Sequence, residues 1–149
     1  MMLEYYLYYT AKDTGGGIVG AAVASSPFGP WTDLGAVYGP VPQKMFESPM
    51  VFQHQARYYL VFHQLTRGVS EGGYSVVADS PVGPWSSAYP LFPGWAHEIW
   101  RDSLGDWYVS YLTSYTVSIS PLSWNDLQTP PRPFVGAEIY RLFLPTLRH

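Results

Sequence analysis

Glu47 lies between Met45-Phe46 and the apolar run Met50-Val51-Phe52. A carboxyl packed among apolar groups loses solvation, which favours its protonated form. That is the form an acid needs if it is to protonate a leaving oxygen. A glutamate that merely ends a surface loop would have the same local sequence. His97-Glu98 is a second candidate pair, with Trp95 and Trp100 on either side. Neighbours on a strand point to opposite faces, so at most one of the pair can face a common site. A core histidine is as good a reading of His97 as a functional one. Arg67 and Glu71 could reach sugar hydroxyls from a loop, or simply be solvated there. There is no cysteine, so thiolate nucleophiles, thiolate metal sites and disulfides are excluded.

These residues must be held by strands. Charged residues are 13% of the chain, half the roughly 25% of an average domain, and aromatics are 17%. Such a chain is too apolar for disorder. No stretch approaches the ~18 unbroken apolar residues of a membrane helix, so no membrane partner is expected. With a net charge of −3 and only Lys12 and Lys44 as lysines, there is no basic face for nucleic acid. Fourteen Gly and fourteen Pro break the chain too often for helices. Met1 to Tyr5 has neither the basic nor the apolar region of a signal peptide, so the compartment is left unassigned, with the cytoplasm as default.

The sequence repeats. Ser26-Pro27-Phe28-Gly29-Pro30-Trp31 recurs as Ser80-Pro81-Val82-Gly83-Pro84-Trp85, and Tyr5-Tyr6-Leu7 recurs as Tyr58-Tyr59-Leu60. A weaker third copy is Trp107-Tyr108-Val109 followed by Ser120-Pro121-Leu122-Ser123-Trp124. A period near 50 with several short strands per copy predicts an all-β fold of propeller blades, each a four-stranded antiparallel sheet. The blades fall at about residues 1–40, 41–93 and 94–130, in one domain spanning 1–149. The first copy gives strands Tyr5–Thr10, Ile18–Ala24 and Trp31–Val37. The second gives Met50–Gln53, Arg57–His63, Tyr74–Asp79 and Trp85–Tyr89. The third gives His97–Arg101, Trp107–Leu112, Val117–Ser120 and a weak strand around Asn125–Gln128, and Ala137–Leu144 is a closing strand. Trp31, Trp85 and Trp124 recur in register, so they are read as packing between blades. Trp95 and Trp100 have no such partners and are the better candidates for stacking on a sugar.

Glu47-Ser48-Pro49 followed by Met50-Val51-Phe52, the Ser80–Trp85 turn, and Ala96-His97-Glu98-Ile99-Trp100-Arg101-Asp102 resemble the five-bladed propeller glycosidases. The closest likeness is to glycoside hydrolase family 43, with family 32 as a cousin. The resemblance runs from Tyr5 to about Leu112. It implies an inverting glycoside hydrolase acting on or binding plant-type oligosaccharides (arabinosides, xylosides) or fructans, with Glu47 as general acid. It implies a channel-lining His97 able to help hold a metal ion, with calcium as the candidate and no other cofactor required. Glu98, Trp95, Trp100, Arg67 and Phe46 are the expected sugar contacts. The family's base and acid-tuning aspartates have no counterpart at matching positions. The alternative is therefore a non-catalytic sugar-binding or inactive propeller piece. Propellers close with 4–8 blades, so three blades suggest a truncated propeller that is completed by association. The expected partner is a second copy, a homodimer or larger, with Ala137–Leu144 supplying the strand the first blade lacks.

Overall fold

In the computed structural model, the described residues are 3–114, 116–125, 130–137 and 140–143. Among them every regular element is a strand, and the strands form three antiparallel sheets. The first sheet contains β1 (Tyr5–Asp13), β2 (Gly16–Ala24) and β3 (Thr32–Val41). The second has β4 (Lys44–His54), β5 (Arg57–Thr66), β6 (Val69–Ala78) and β7 (Tyr89–Phe92). The third has β8 (Trp95–Arg101), β9 (Trp107–Thr113), β10 (Thr116–Asn125), β11 (Arg132–Val135) and β12 (Tyr140–Phe143).

The second sheet is sandwiched. Val61 on β5 packs with Ile99, Val109, Tyr111 and Leu122 of the third sheet. Leu60 and Phe62 on the same strand pack with Val19 of the first sheet and with Phe46. Alternate residues thus serve opposite cores, as strand geometry requires. Burial of both faces explains why Tyr58–Phe62 is a continuous apolar run. The doubled tyrosines also act between sheets: the Tyr8 hydroxyl donates to the Pro81 carbonyl at 2.7 Å, and that of Tyr59 to Pro131 at 2.7 Å.

The repeated turn has the same backbone twice. Gly29–Pro30 and Gly83–Pro84 are both cis, and Gly29 and Gly83 have φ of 82° and 90°. Trp85 lies just after this turn, outside a strand, and packs into the core between the first and second sheets. Its strand begins later than expected, at Tyr89, because Ser86 is tied back to Val77 through both its backbone N–H and its hydroxyl. Trp124 packs into the other core. Trp31, the first copy, has no sheet on its outer side and is 38% exposed.

The outer edge of the third sheet differs from expectation. Residues 126–128 of the weak strand around Asn125–Gln128 lie outside the described residues, as do 138, 139 and 144 of the closing strand. Of the latter, Tyr140–Phe143 pairs with the first half of β10 (Ile119 opposite Tyr140), and β11 pairs with its second half (Leu122 opposite Val135). The stretch therefore lies on the third sheet and not on the first. Pro121, which lacks an N–H, stands where the two pieces meet. Gly136 donates there to the Pro121 carbonyl at 2.9 Å, and a Cβ at 136 would lie 2.8 Å from the Pro121 ring.

Candidate functional site

Glu47 sits on β4, an edge strand of the second sheet, at a bulge. Its partner across the ladder is His63, and the next paired residues are Met50 and Val61. Ser48, inside the bulge, has φ 50°. The same device recurs on β8, the edge strand of the third sheet. There Trp95 pairs with Leu112, Glu98 pairs with Ser110, and Ala96 has φ 48°. The residue aligned with Glu47 is therefore Trp95, rather than His97 or Glu98 as the sequence suggested.

The Glu47 side chain is 51% exposed, and its Oε2 lies 3.1 Å from Nδ1 of His63. His63 is 2% exposed, and its Nε2 lies 2.8 Å from the Ser70 hydroxyl. Ser70 lines a cavity of about 330 Å³ with Glu71, Gly72, Pro93, Trp95 and Thr113. An acidic side chain, an aromatic side chain and hydroxyls thus meet at one end of the strands. Glu71 is engaged from three directions. Lys44 Nζ, the Gln64 amide and the Thr66 hydroxyl all bond its carboxylate, and with Lys44 foremost they pull its pKa down to about 2. Glu71 is thus an anion at neutral pH and cannot be the acid.

The other expected residues scatter. Phe46 is buried in the core against Tyr38 and Phe62, because alternation turns it away from the face Glu47 occupies. Arg67 is exposed, and its Nε donates to Gln43 at 3.0 Å. It lines a separate cavity of about 340 Å³ with Lys12 and Lys44. Glu98 is exposed. Trp100 stacks on Tyr108 at 5.8 Å. It lies five residues along β8 from Trp95, roughly 16 Å at strand rise, so the two tryptophans do not flank one site. His97 is 3% exposed and packs against Phe92. Its ring makes no side-chain hydrogen bond among the described residues and meets the Val61 backbone instead. Burial, with His63 nearby adding to it, pushes its pKa down to about 4 against the opposing pull of the Val61 backbone.

Calcium takes six to eight oxygen ligands. Among the described residues no three His, Asp or Glu side chains converge to hold a metal. A larger cavity, about 460 Å³, lies at the other end of the strands, around His54, Arg101, Trp107 and Trp124. It has no part in the Glu47 cluster.

Sequence reasoning missed His63 and Ser70 as partners of Glu47. An unbulged hairpin closing at His54 opposite Arg57 would put Gln64 across from Glu47. The bulge shifts the register and brings His63 there instead. The signal for it was Ser48-Pro49, since Pro inside a strand marks a bulge or an edge.

No protein-family model matches the sequence, and no curated protein matches it. Solved structures do match in fold. An exo-β-1,3-galactanase from Phanerochaete chrysosporium, a Glu-to-Gln variant with β-1,3-galactotriose, superposes with a TM-score of 0.75 at 17% identity. The match covers 94% of this chain and 36% of that one. An exo-β-1,3-galactanase from Clostridium thermocellum gives 0.72 at 15% identity over 95% of this chain and 35% of that one. An endo-arabinase from Bacteroides thetaiotaomicron gives 0.68 at 18% identity over 93% and 51%. The chain therefore has the fold of the family 43 propeller glycosidases, and it spans between a third and about a half of these relatives' length.

Proposed function

We propose that this chain is the acid-bearing part of a propeller glycoside hydrolase that cleaves plant-type galactan or arabinan oligosaccharides with inversion. Glu47 is its general acid. The observation that supports this most is the state of the Glu47 carboxyl: one oxygen is held by a buried histidine and the group stays half open to solvent. That leaves Oε1 to carry the proton to the glycosidic oxygen, while Trp95 offers an aromatic face in the adjoining cavity.

Inversion also needs a base roughly 6.5–9.5 Å across the scissile bond. Glu71, the carboxylate in the cavity among the described residues, is already committed to Lys44, Thr66 and Gln64. We assign the base to a second copy of the chain, whose addition would extend the ring of blades. Supporting this, Leu7 and Trp31 are exposed on the first sheet, whereas their repeat partners Leu60 and Trp85 pack between sheets. The same commitment of Glu71 favours a second reading, a sugar-binding propeller without turnover.

The test is a panel of β-1,3-galacto- and arabino-oligosaccharides incubated with protein whose mass is measured by sedimentation. A dimer or larger that releases sugars with inverted anomeric configuration is expected. A monomer that binds these sugars without cleaving them supports the second reading and removes the first.

A further inference from the structure

We propose that His63 is the positioning residue of the Glu47 carboxyl and that Ser70 fixes its tautomer. Its role in catalysis rests on the function proposed above, but the geometry does not. His63 is buried on β5 and hydrogen-bonded at both ring nitrogens: Nδ1 lies 3.1 Å from Glu47 Oε2 and Nε2 lies 2.8 Å from Ser70 Oγ. The groups that face it are Glu47 on β4, Ser70 on β6 and His97 on β8.

A carboxylate can only accept, so the ring nitrogen facing it must donate. Nδ1 then carries the proton and Nε2 is the acceptor, which receives the Ser70 O–H. This is the tautomer assignment that the hydrogen bond at the other ring nitrogen dictates. Two consequences follow for Glu47. Oε2 is occupied by an N–H donor, so a transferable proton resides on Oε1. When that proton leaves, the carboxylate keeps a charge-assisted hydrogen bond from a group that burial holds in place.

His97 shows that the pairing is specific to one histidine. It is equally buried and near His63, yet it meets only the Val61 backbone and makes no side-chain hydrogen bond among the described residues.

The experiment is heteronuclear NMR of the imidazole nitrogens at neutral pH in the full chain, in wild type, Ser70→Ala and Glu47→Leu. His63 is expected to carry its proton on Nδ1 in wild type. The bias should weaken in Ser70→Ala and be lost in Glu47→Leu. A proton on Nε2 in wild type, or an unchanged bias in Glu47→Leu, overturns the proposal. Ser70 is exposed, so its variant keeps the test open even if substitutions at buried His63 fail to fold. On a cleaved oligosaccharide, His63→Leu should lower kcat about tenfold or more with little change in KM. His63→Asn should recover most of that loss, because its amide nitrogen can take the place of Nδ1. The predicted tautomer in a chain without turnover supports the positioning and refutes the hydrolase reading. Equal activity of His63→Leu and wild type overturns the catalytic role of His63.

Discussion

The edge strands β4 and β8 carry the same bulge, with a left-handed residue at the same place, Ser48 in one and Ala96 in the other. What precedes that residue differs. On β4 it is Glu47, opposite His63, and on β8 it is Trp95, opposite Leu112. A repeated backbone device thus presents an acid supported by a buried imidazole in one sheet and an aromatic supported by an aliphatic side chain in the next. The repeat specifies where a side chain stands beside the bulge. The individual residue specifies what it does there.

The two nearby histidines sharpen the contrast, and they set the largest expected stability effect. His63 is bonded to side chains at both nitrogens, whereas His97 makes no side-chain hydrogen bond among the described residues and burial lowers its pKa to about 4. An unfolded histidine binds its proton below about 6.5, so between pH 6.5 and 4 the unfolded chain binds more protons at this site than the folded one. Stability from His97 is therefore intact above about pH 6.5 and is lost as pH falls toward 4. The loss is on the order of 3 kcal/mol. Urea denaturation at several pH values should show this slope in wild type and a flatter one in His97→Phe. An equal slope in both would place the titrating group elsewhere.

A smaller effect is expected at Trp95. If it is a platform for sugar, Trp95→Ala should raise KM about fivefold, from roughly 1 kcal/mol of lost aromatic contact, with kcat nearly unchanged. Calorimetric titration with β-1,3-galactotriose measures the same loss in binding. A fall in kcat alone would make Trp95 equivalent to Glu47 in role as well as in place.

The smallest effect tests the shared backbone. Left-handed φ costs a non-glycine residue roughly 1–2 kcal/mol, while glycine gives back about half of that through unfolded-state entropy. Ser48→Gly and Ala96→Gly should each raise stability by under about 1 kcal/mol, and by similar amounts. Opposite signs in thermal unfolding would mean that the two bulges are not the same device.

Much of the fold was legible because it repeats. The Ser-Pro-x-Gly-Pro-Trp copies located the turns, and the recurrence of Tyr5-Tyr6-Leu7 as Tyr58-Tyr59-Leu60 located the corresponding strands of two sheets. The site was legible only in part. Glu47 stood out by its apolar surroundings and its Pro two residues on, but a one-residue register shift chose its partner. Ser48-Pro49 marks a bulge or an edge, but it does not give the size of the shift that puts His63 rather than Gln64 opposite Glu47. His97 and Phe46 show the converse problem. Both lie within a residue or two of exposed candidates, and both face the core, since alternation and the bulge together decide the face. The outer edge of the third sheet escaped because two short strands share β10 across Pro121, where a single strand was expected.

General acid assistance matters only when the leaving group needs a proton. The most direct measurement therefore compares wild type and Glu47→Gln on two substrates of the same sugar. One is a natural disaccharide-type linkage, and the other carries a strongly acidic dinitrophenol leaving group. If Glu47 is the acid, the variant should lose at least about 100-fold on the natural linkage. On the activated glycoside it should lose less than about tenfold. Equal losses on both substrates, or none on either, would contradict the assignment of Glu47 as the acid.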